Sequence, residues 1–104
     1  MEETLKPHVS FLKMIVSTAE EQRRALLKTV TAEQLCILKE IALNIYKGTI
    51  LERNDIEALR PHASLIRKLS DREVKDSVTI KCVVRNHEAV SAMIEPFLAL
   101  LEGS

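Results

Sequence analysis

Glycine, proline and aromatic residues are all scarce in this sequence. Two glycines and three prolines among 104 residues leave little room for long loops, and they exclude a Gly-rich loop that could cradle a phosphate. Tryptophan is absent, and one tyrosine and two phenylalanines are the only aromatic residues. Because single-stranded nucleic acids bind by stacking on aromatic side chains, a stacking platform of that kind is not expected.

The chain also lacks an excess of either charge and any long apolar run. Fifteen basic residues balance fifteen acidic ones, which argues against a simple electrostatic nucleic-acid binder. No apolar run approaches the roughly 20 residues that a membrane-spanning helix needs. The first residues, Met-Glu-Glu-Thr, lack the basic and apolar regions of a secretory signal. We therefore expect an intracellular protein of the cytoplasm or nucleus, with no membrane partner.

Cysteines and histidines are few and isolated. Cys36 and Cys82 are too far apart for the close pairing of a zinc site, and their apolar neighbours predict two buried thiols. His8, His62 and His87 each stand alone, which favours surface or turn positions over a metal site. No serine has the surroundings of a nucleophile. We therefore predict no catalytic residue, metal, cofactor or small-molecule substrate, and hence not an enzyme.

Residues 31–48 have the pattern of a central helix. Thr31 followed by Gln34 is a capping box, and Gly48 stands where a left-handed cap is easiest. One face at the helical period carries Leu35, Leu38, Ile41, Ala42 and Ile45. Apolar residues outside that face indicate that other helices contact this one from more than one side. The length predicts a single helical domain, 1–104.

The remaining apolar periodicity predicts helices near 1–18, 18–28, 54–69 and 88–101, with an extended link at 49–51. The capping pattern recurs at Thr18, Asn54 and Ser70, each with Glu three residues later. Pro7 fits a first helical turn. Pro61 predicts a helix that ends near Leu59 and a second that begins at Pro61, although one kinked helix is the alternative. Pro96 should kink or restart the last helix.

The segment 77–85 is ambiguous. Its β-branched residues favour a strand, but the sequence offers no second strand to pair with it, and Ser77 can cap a helix. We predict a helix here. The predicted fold is therefore all-α, a compact bundle of five or six short helices around the central helix near 32–47.

Two surface features suggest partners. Cations are concentrated between residues 60 and 85, at Arg60, Arg67, Lys68, Arg72, Lys75, Lys81 and Arg85. They could contact phosphates, or they could form an ordinary solvated helix face. The last helix carries an apolar stripe of Met93, Ile94, Phe97, Leu98 and Leu101. This stripe is either core or, if other helices close the core, a surface for a protein partner or a second copy.

Part of the chain resembles the small helical proteins of Polinton/Maverick-type mobile elements and adintoviruses. The segments that carry the resemblance are FL at 11–12, EQRRALLK at 21–28, QL at 34–35, EIALNI at 40–45, GTI at 48–50 and LIRKL at 65–69. The resemblance implies a helical scaffold with a virion or genome-packaging role, similar to a small adenoviral core protein. The family's basic stretch and paired glycines are absent here, where KCVVRNHE stands at 81–88.

These observations predict a non-enzymatic helical module for protein interaction or self-assembly. It would be a structural protein of viral or mobile-element origin, and a homo-oligomer is expected. The predicted docking surface is the C-terminal stripe. The alternative is a nucleic-acid-associated, virion core-like protein that uses the basic stretch 60–85, an alternative that the neutral net charge disfavours.

Overall fold

The computed structural model describes residues 2–48, 52–71 and 73–102, and every regular element within these ranges is helical. The α-helices are α1 (Glu2–Leu5), α2 (Val9–Ser17), α3 (Glu20–Lys28), α4 (Ala32–Lys47), α5 (Arg53–Leu59), α6 (Ala63–Ser70), α7 (Asp76–Arg85) and α8 (His87–Glu102). Short 3-10 turns join α1 to α2 and α5 to α6, so the elements form six helical rods. The predicted all-α bundle of five or six helices is confirmed.

Helix α4 has both of its predicted ends. The Thr31 hydroxyl accepts a hydrogen bond from the Gln34 N–H at 3.0 Å, and the Gln34 side-chain oxygen accepts one from the Thr31 N–H at 3.0 Å. Gly48 closes the helix in the left-handed region, with φ of 66°. A capping box and a left-handed glycine therefore fix the helix ends from local sequence alone.

Helices α4 and α8 share the centre of the bundle. Helix α4 packs mainly on α6 and also touches α7 and α8, whereas α8 contacts α2, α3, α4, α5 and α7. Five residues of α4 are buried, among them Leu38 and Ile41, and eight of α8. A single apolar cluster runs through both helices, and it includes Leu12, Leu27 and Phe97.

The predicted cap at Thr18 is wrong. Thr18 ends α2, where its N–H donates to the Met14 carbonyl at 3.1 Å, and Ala19 takes the N-cap position of α3 without a side-chain bond. The Thr18 hydroxyl is buried and has no hydrogen-bond partner among the described residues. Thr18 and Ala19 both have extended backbone, Thr18 as the C-cap of α2 and Ala19 as the N-cap of α3. Thr18 therefore lies one residue before the N-cap position that a capping box requires.

The predicted caps at Asn54, Ser70 and Ser77 are also wrong. Helix α5 already begins at Arg53, so Asn54 lies inside the first turn. The Ser70 hydroxyl donates back to the Arg67 carbonyl at 2.8 Å and closes α6 instead of opening a new turn. Helix α7 begins at Asp76, one residue before Ser77. Each sequence signal was a residue type that can satisfy either end of a helix.

The three prolines have three different outcomes. Pro7 lies in the first turn of a 3-10 segment between α1 and α2. The helical rod that contains Pro7 therefore begins earlier, at α1. Helix α5 ends at Leu59 as predicted, and Pro61 lies in the 3-10 turn before α6. Pro96 lies inside α8, which continues to Glu102, so of the two predicted alternatives, a kink or a restart, the restart is wrong. Burial of the α8 face on both sides of Pro96 keeps the chain helical despite one lost hydrogen bond.

The ambiguous segment 77–85 is helical, as predicted. Thr79 and Val83, one turn apart, are buried, and the Thr79 hydroxyl donates to the Lys75 carbonyl at 3.1 Å. Nζ of Lys39 in α4 lies 3.4 Å from Oδ1 of Asp76, and this ion pair joins the start of α7 to α4. Packing on α3, α4, α6 and α8 therefore overrides the strand propensity of the β-branched residues.

A polar network built on Arg23 links α2, α3 and α8. The Arg23 guanidinium donates to the Ile15 carbonyl at 2.8 Å and to the Thr18 carbonyl at 3.2 Å, both at the end of α2. It also lies 3.4 Å from Nδ1 of His87, which is buried at the start of α8. Nε2 of His87 is 3.5 Å from a Glu20 carboxylate oxygen. A cation at the carbonyl end of α2 also suits the helix dipole.

Three further predictions concern the two cysteines, the link at 49–51 and the lack of a membrane-spanning helix. Cys36 is exposed and Cys82 half-buried, so the prediction of two buried thiols is wrong; Cys36 lies off the face of α4 that carries the buried residues Leu35, Leu38 and Ile41. The predicted link at 49–51 lies outside the described residues. In the described ranges, no helix combines the length and the apolar character that a membrane crossing requires.

Candidate protein-docking groove

The C-terminal stripe is core and not a docking surface, which corrects the sequence-based prediction. Met93 and Ile94 are fully buried, Phe97 is 1% exposed and Leu98 is 8% exposed. Leu101 is half-buried and packs against the same cluster. The physical reason is that α8 lies among five other helices, so its apolar face is already covered. A partner cannot reach these side chains without opening the bundle.

The basic residues of the 60–85 stretch do not all share one site. Arg60 and Arg67 line a groove beside α4, whereas Lys68 lines small cavities that face α7. Arg67 and Lys68 diverge because successive residues point about 100° apart around a helix. Lys75, Lys81 and Arg85 are exposed on and just before α7, and Arg72 lies outside the described residues.

The groove that contains Arg60 and Arg67 lies where α4, α5 and α6 meet, and it has a volume of about 310 Å³. We call it the α4–α6 groove. Its lining residues are Ile45, Tyr46, Gly48, Ile56, Leu59, Arg60, Ala63, Ile66 and Arg67. Among the described lining residues there are two arginines and no acidic residue, so the groove combines apolar surface with positive charge.

Two large side chains of the α4–α6 groove are exposed to solvent. Tyr46 is 60% exposed and Ile56 is 41% exposed. Tyr46 is the sole tyrosine of the chain, and of the two phenylalanines Phe97 is buried and Phe11 half-buried. The most exposed aromatic side chain therefore stands at the mouth of this groove.

The ends of the helices explain why these residues meet here. Burial along α4 is greatest between Leu35 and Ala42, and it falls through Ile45 until Tyr46 is exposed. The last turn of α4 therefore extends beyond the packed core. The rod formed by α5 and α6 supplies the opposite wall, with Leu59 and Ile66 buried at its base.

Neither groove arginine is held by an acidic partner in the described ranges. The ion pairs found there join other residues, such as Arg53 with Glu57 at 3.9 Å and Lys39 with Asp76 at 3.4 Å. Arg60 and Arg67 also make no side-chain hydrogen bond to the described residues. Their guanidinium donors are therefore free to bind carboxylates or phosphates.

A second depression lies between α2 and α3. It is larger, at about 520 Å³, and is lined by Met14, Thr18, Gln22, Ala25, Leu26 and Thr29. Met14 is 48% exposed there. This lining includes neither an aromatic nor a charged residue, so it offers less to direct a partner than the α4–α6 groove does.

Metal and acid–base chemistry find little support in the geometry. Among residues 2–48, 52–71 and 73–102, no three His, Cys, Asp or Glu side chains converge as metal ligands would. His8 lies 3.2 Å from Glu33, and His87 belongs to the Arg23 network. Among the lining residues that the structure describes, the α4–α6 groove holds no carboxylic acid and no histidine.

Sequence reasoning missed Tyr46 and Ile56. The available signal was compositional, because a single tyrosine in a chain without tryptophan stands out. Arg60 and Arg67 were identified as cations, but not as neighbours of an apolar groove.

Comparison of the chain with protein families, with curated proteins and with solved structures finds no match.

Proposed function

We propose that this protein is a non-enzymatic helical module that binds another protein through the α4–α6 groove. The observation that carries the proposal is the exposure of Tyr46 at 60%, beside exposed Ile56 and two arginines that have no acidic partner among the described residues. Tyrosine and arginine dominate the residues that contribute most to protein–protein affinity. A partner seated in the groove would bury apolar surface that the bundle leaves in water.

The resemblance to mobile-element and adintovirus proteins supports a structural role of viral or mobile-element origin, inside the cell. That origin stays a prediction. We propose another protein, and not a second copy, as the occupant. The stripe predicted for self-assembly is buried in α8, so the interface predicted for a second copy is not open to one. Homo-oligomerisation through the α4–α6 groove remains the competing arrangement, and the experiment below separates the two.

The alternative function is nucleic-acid association through the basic stretch. It is favoured by one observation, the exposure of Arg60, Arg67, Lys68, Lys75, Lys81 and Arg85. The net charge of zero and the separation of these cations between the groove and α7 favour the protein partner instead.

The test is a selection from a displayed library of sixteen-residue helical peptides, with the folded chain immobilised as the target. We expect recovered peptides to bind with micromolar affinity and to lose at least tenfold in affinity on Tyr46→Ala. Leu100→Ala, which removes an exposed apolar side chain of α8, is the matched control and should change nothing. Recovery of no Tyr46-dependent peptide would overturn the proposal.

Two further measurements separate the competing occupants. Light scattering across a concentration series would identify a second copy as the occupant if a dimer forms and Tyr46→Ala dissociates it. Titration with a DNA duplex would favour the alternative if binding weakens steeply with salt, is lost on Lys81→Glu/Arg85→Glu, and is unchanged by Tyr46→Ala.

A further inference from the structure

Charge complementarity indicates which kind of protein segment the α4–α6 groove would accept. Its lining contains two arginines and no carboxylate. Burying a guanidinium under a neutral or basic partner would leave the cation without a counter-charge in a low-dielectric contact, which is costly. A partner that supplies carboxylates satisfies both arginines, and it does so with charge-assisted, often bidentate hydrogen bonds.

The spacing of the two arginines adds a geometric constraint. Arg60 lies in the 3-10 turn and Arg67 in α6, on the same rod and seven residues apart. Helical rise places their backbone positions about 10–12 Å apart along the axis of the rod. On a partner helix aligned with α6, two acidic residues seven positions apart span a similar distance and share one face.

The apolar floor lies between these cations. Ala63, small and on the same rod, separates Arg60 from Arg67, and Ile66 lies buried below. Tyr46 of α4 and Ile56 of α5 line the same groove, and both are exposed. A partner helix that lies over Ala63 would therefore place apolar side chains against Tyr46 and Ile56 and its acidic residues at the two ends.

We propose that the α4–α6 groove binds an acidic amphipathic helix, with apolar anchors flanked by carboxylates two helical turns apart. This inference rests on the proposed function, since it requires that the groove bind a protein segment. It adds the chemistry of the partner, which the proposed function leaves open.

The test uses the Tyr46-dependent peptides from the library, and then one designed probe. The probe is a sixteen-residue helix with leucines at its fifth, eighth and twelfth positions and glutamates at its fourth and eleventh. A matched peptide carries lysines in place of the two glutamates. Fluorescence anisotropy at low salt should give at least tenfold tighter binding for the glutamate peptide.

Charge reversal supplies the decisive control. Arg60→Glu/Arg67→Glu should reverse the preference, so that the lysine peptide becomes the tighter ligand. Lys81→Glu/Arg85→Glu changes the net charge equally but lies outside the groove lining, and it should preserve the original preference. Equal losses in both double variants would mean that binding follows net charge alone, and the inference would be wrong.

Failure of this inference differs from failure of the proposed function. Tyr46-dependent peptides without acidic enrichment, whose affinities are unaffected by Arg60→Glu/Arg67→Glu, would overturn the acidic partner and leave the docking groove standing. Absence of any Tyr46-dependent peptide would overturn both. Acidic enrichment with reversal in the groove variant alone would support both.

Discussion

Replacement of Phe97 by alanine tests whether the C-terminal stripe is core. Phe97 is 1% exposed and belongs to the apolar cluster that joins α4 and α8. Its truncation removes an aromatic ring from a close-packed interior and leaves a cavity. Changes of this kind cost about 3–5 kcal/mol. Since a domain of this size typically unfolds with about 5–15 kcal/mol, the variant should lose a large share of its stability.

Urea denaturation followed by far-UV circular dichroism measures this loss, because the chain has no tryptophan to report by fluorescence. With a urea slope of about 1.5 kcal/mol per molar, the midpoint should fall by roughly 2–3 M. Leu100→Ala, on the same helix but 41% exposed, should shift the midpoint by less than about 0.5 M. If Phe97→Ala does not fold, Phe97→Leu should still fold and lose about 1 kcal/mol.

The opposite outcome would refute the reasoning. If α8 used Phe97 to bind a second copy, Phe97→Ala would dissociate an oligomer and leave the unfolding midpoint of the dilute monomer almost unchanged. A midpoint shift below about 0.5 M at low protein concentration, together with a lower solution mass at high concentration, would show that the stripe is an interface.

Two smaller changes test other parts of the fold by the same denaturation assay. Arg23→Met keeps the aliphatic stem but removes donors to two carbonyls at the end of α2, and it should cost about 2–3 kcal/mol. Arg24→Met, which removes only an exposed ion pair with Glu20, should cost less than about 0.5 kcal/mol, and equal costs would refute a special role for Arg23. Gly48→Ala should cost about 1 kcal/mol from backbone strain alone, because φ is 66° and an added Cβ would meet nothing within 4 Å. Gly48→Asn should cost less, and a neutral Gly48→Ala would contradict the left-handed cap.

The sequence predicted the structure best where hydrogen bonds between residues close in sequence determine a helix end. Thr31 with Gln34, and Gly48 after the last turn, specify both ends of α4 through bonds within a few residues, and all of them are present. The same pattern failed at Thr18, which lies where α2 ends and α3 begins, and at Ser70, whose hydroxyl bonds back into the end of α6. Which helix a polar side chain serves there depends on the backbone path, and that path is set by packing between helices.

In segment 77–85, contacts between helices outweigh the local sequence propensity. Its β-branched residues favour a strand, and the helix was predicted from the lack of a second strand and from Ser77 as a possible cap. The structure buries Thr79 and Val83 one turn apart, so tertiary contacts decide the conformation. Such contacts involve α3 and α4, which are distant in sequence, and single-sequence propensity does not include them.

The candidate site was missed because periodicity reports the face of a helix and not where its neighbours end. Tyr46 follows Ala42 by four residues and therefore lies near the buried face of α4, yet it is 60% exposed, since the core stops one turn earlier. On α8 the same kind of apolar series is covered along most of its length, and Phe97 is core. The two stripes look alike in sequence. They differ in how much of each stripe the other helices bury. A partner for this protein should therefore be sought at Tyr46, where the apolar face of α4 extends beyond the buried core.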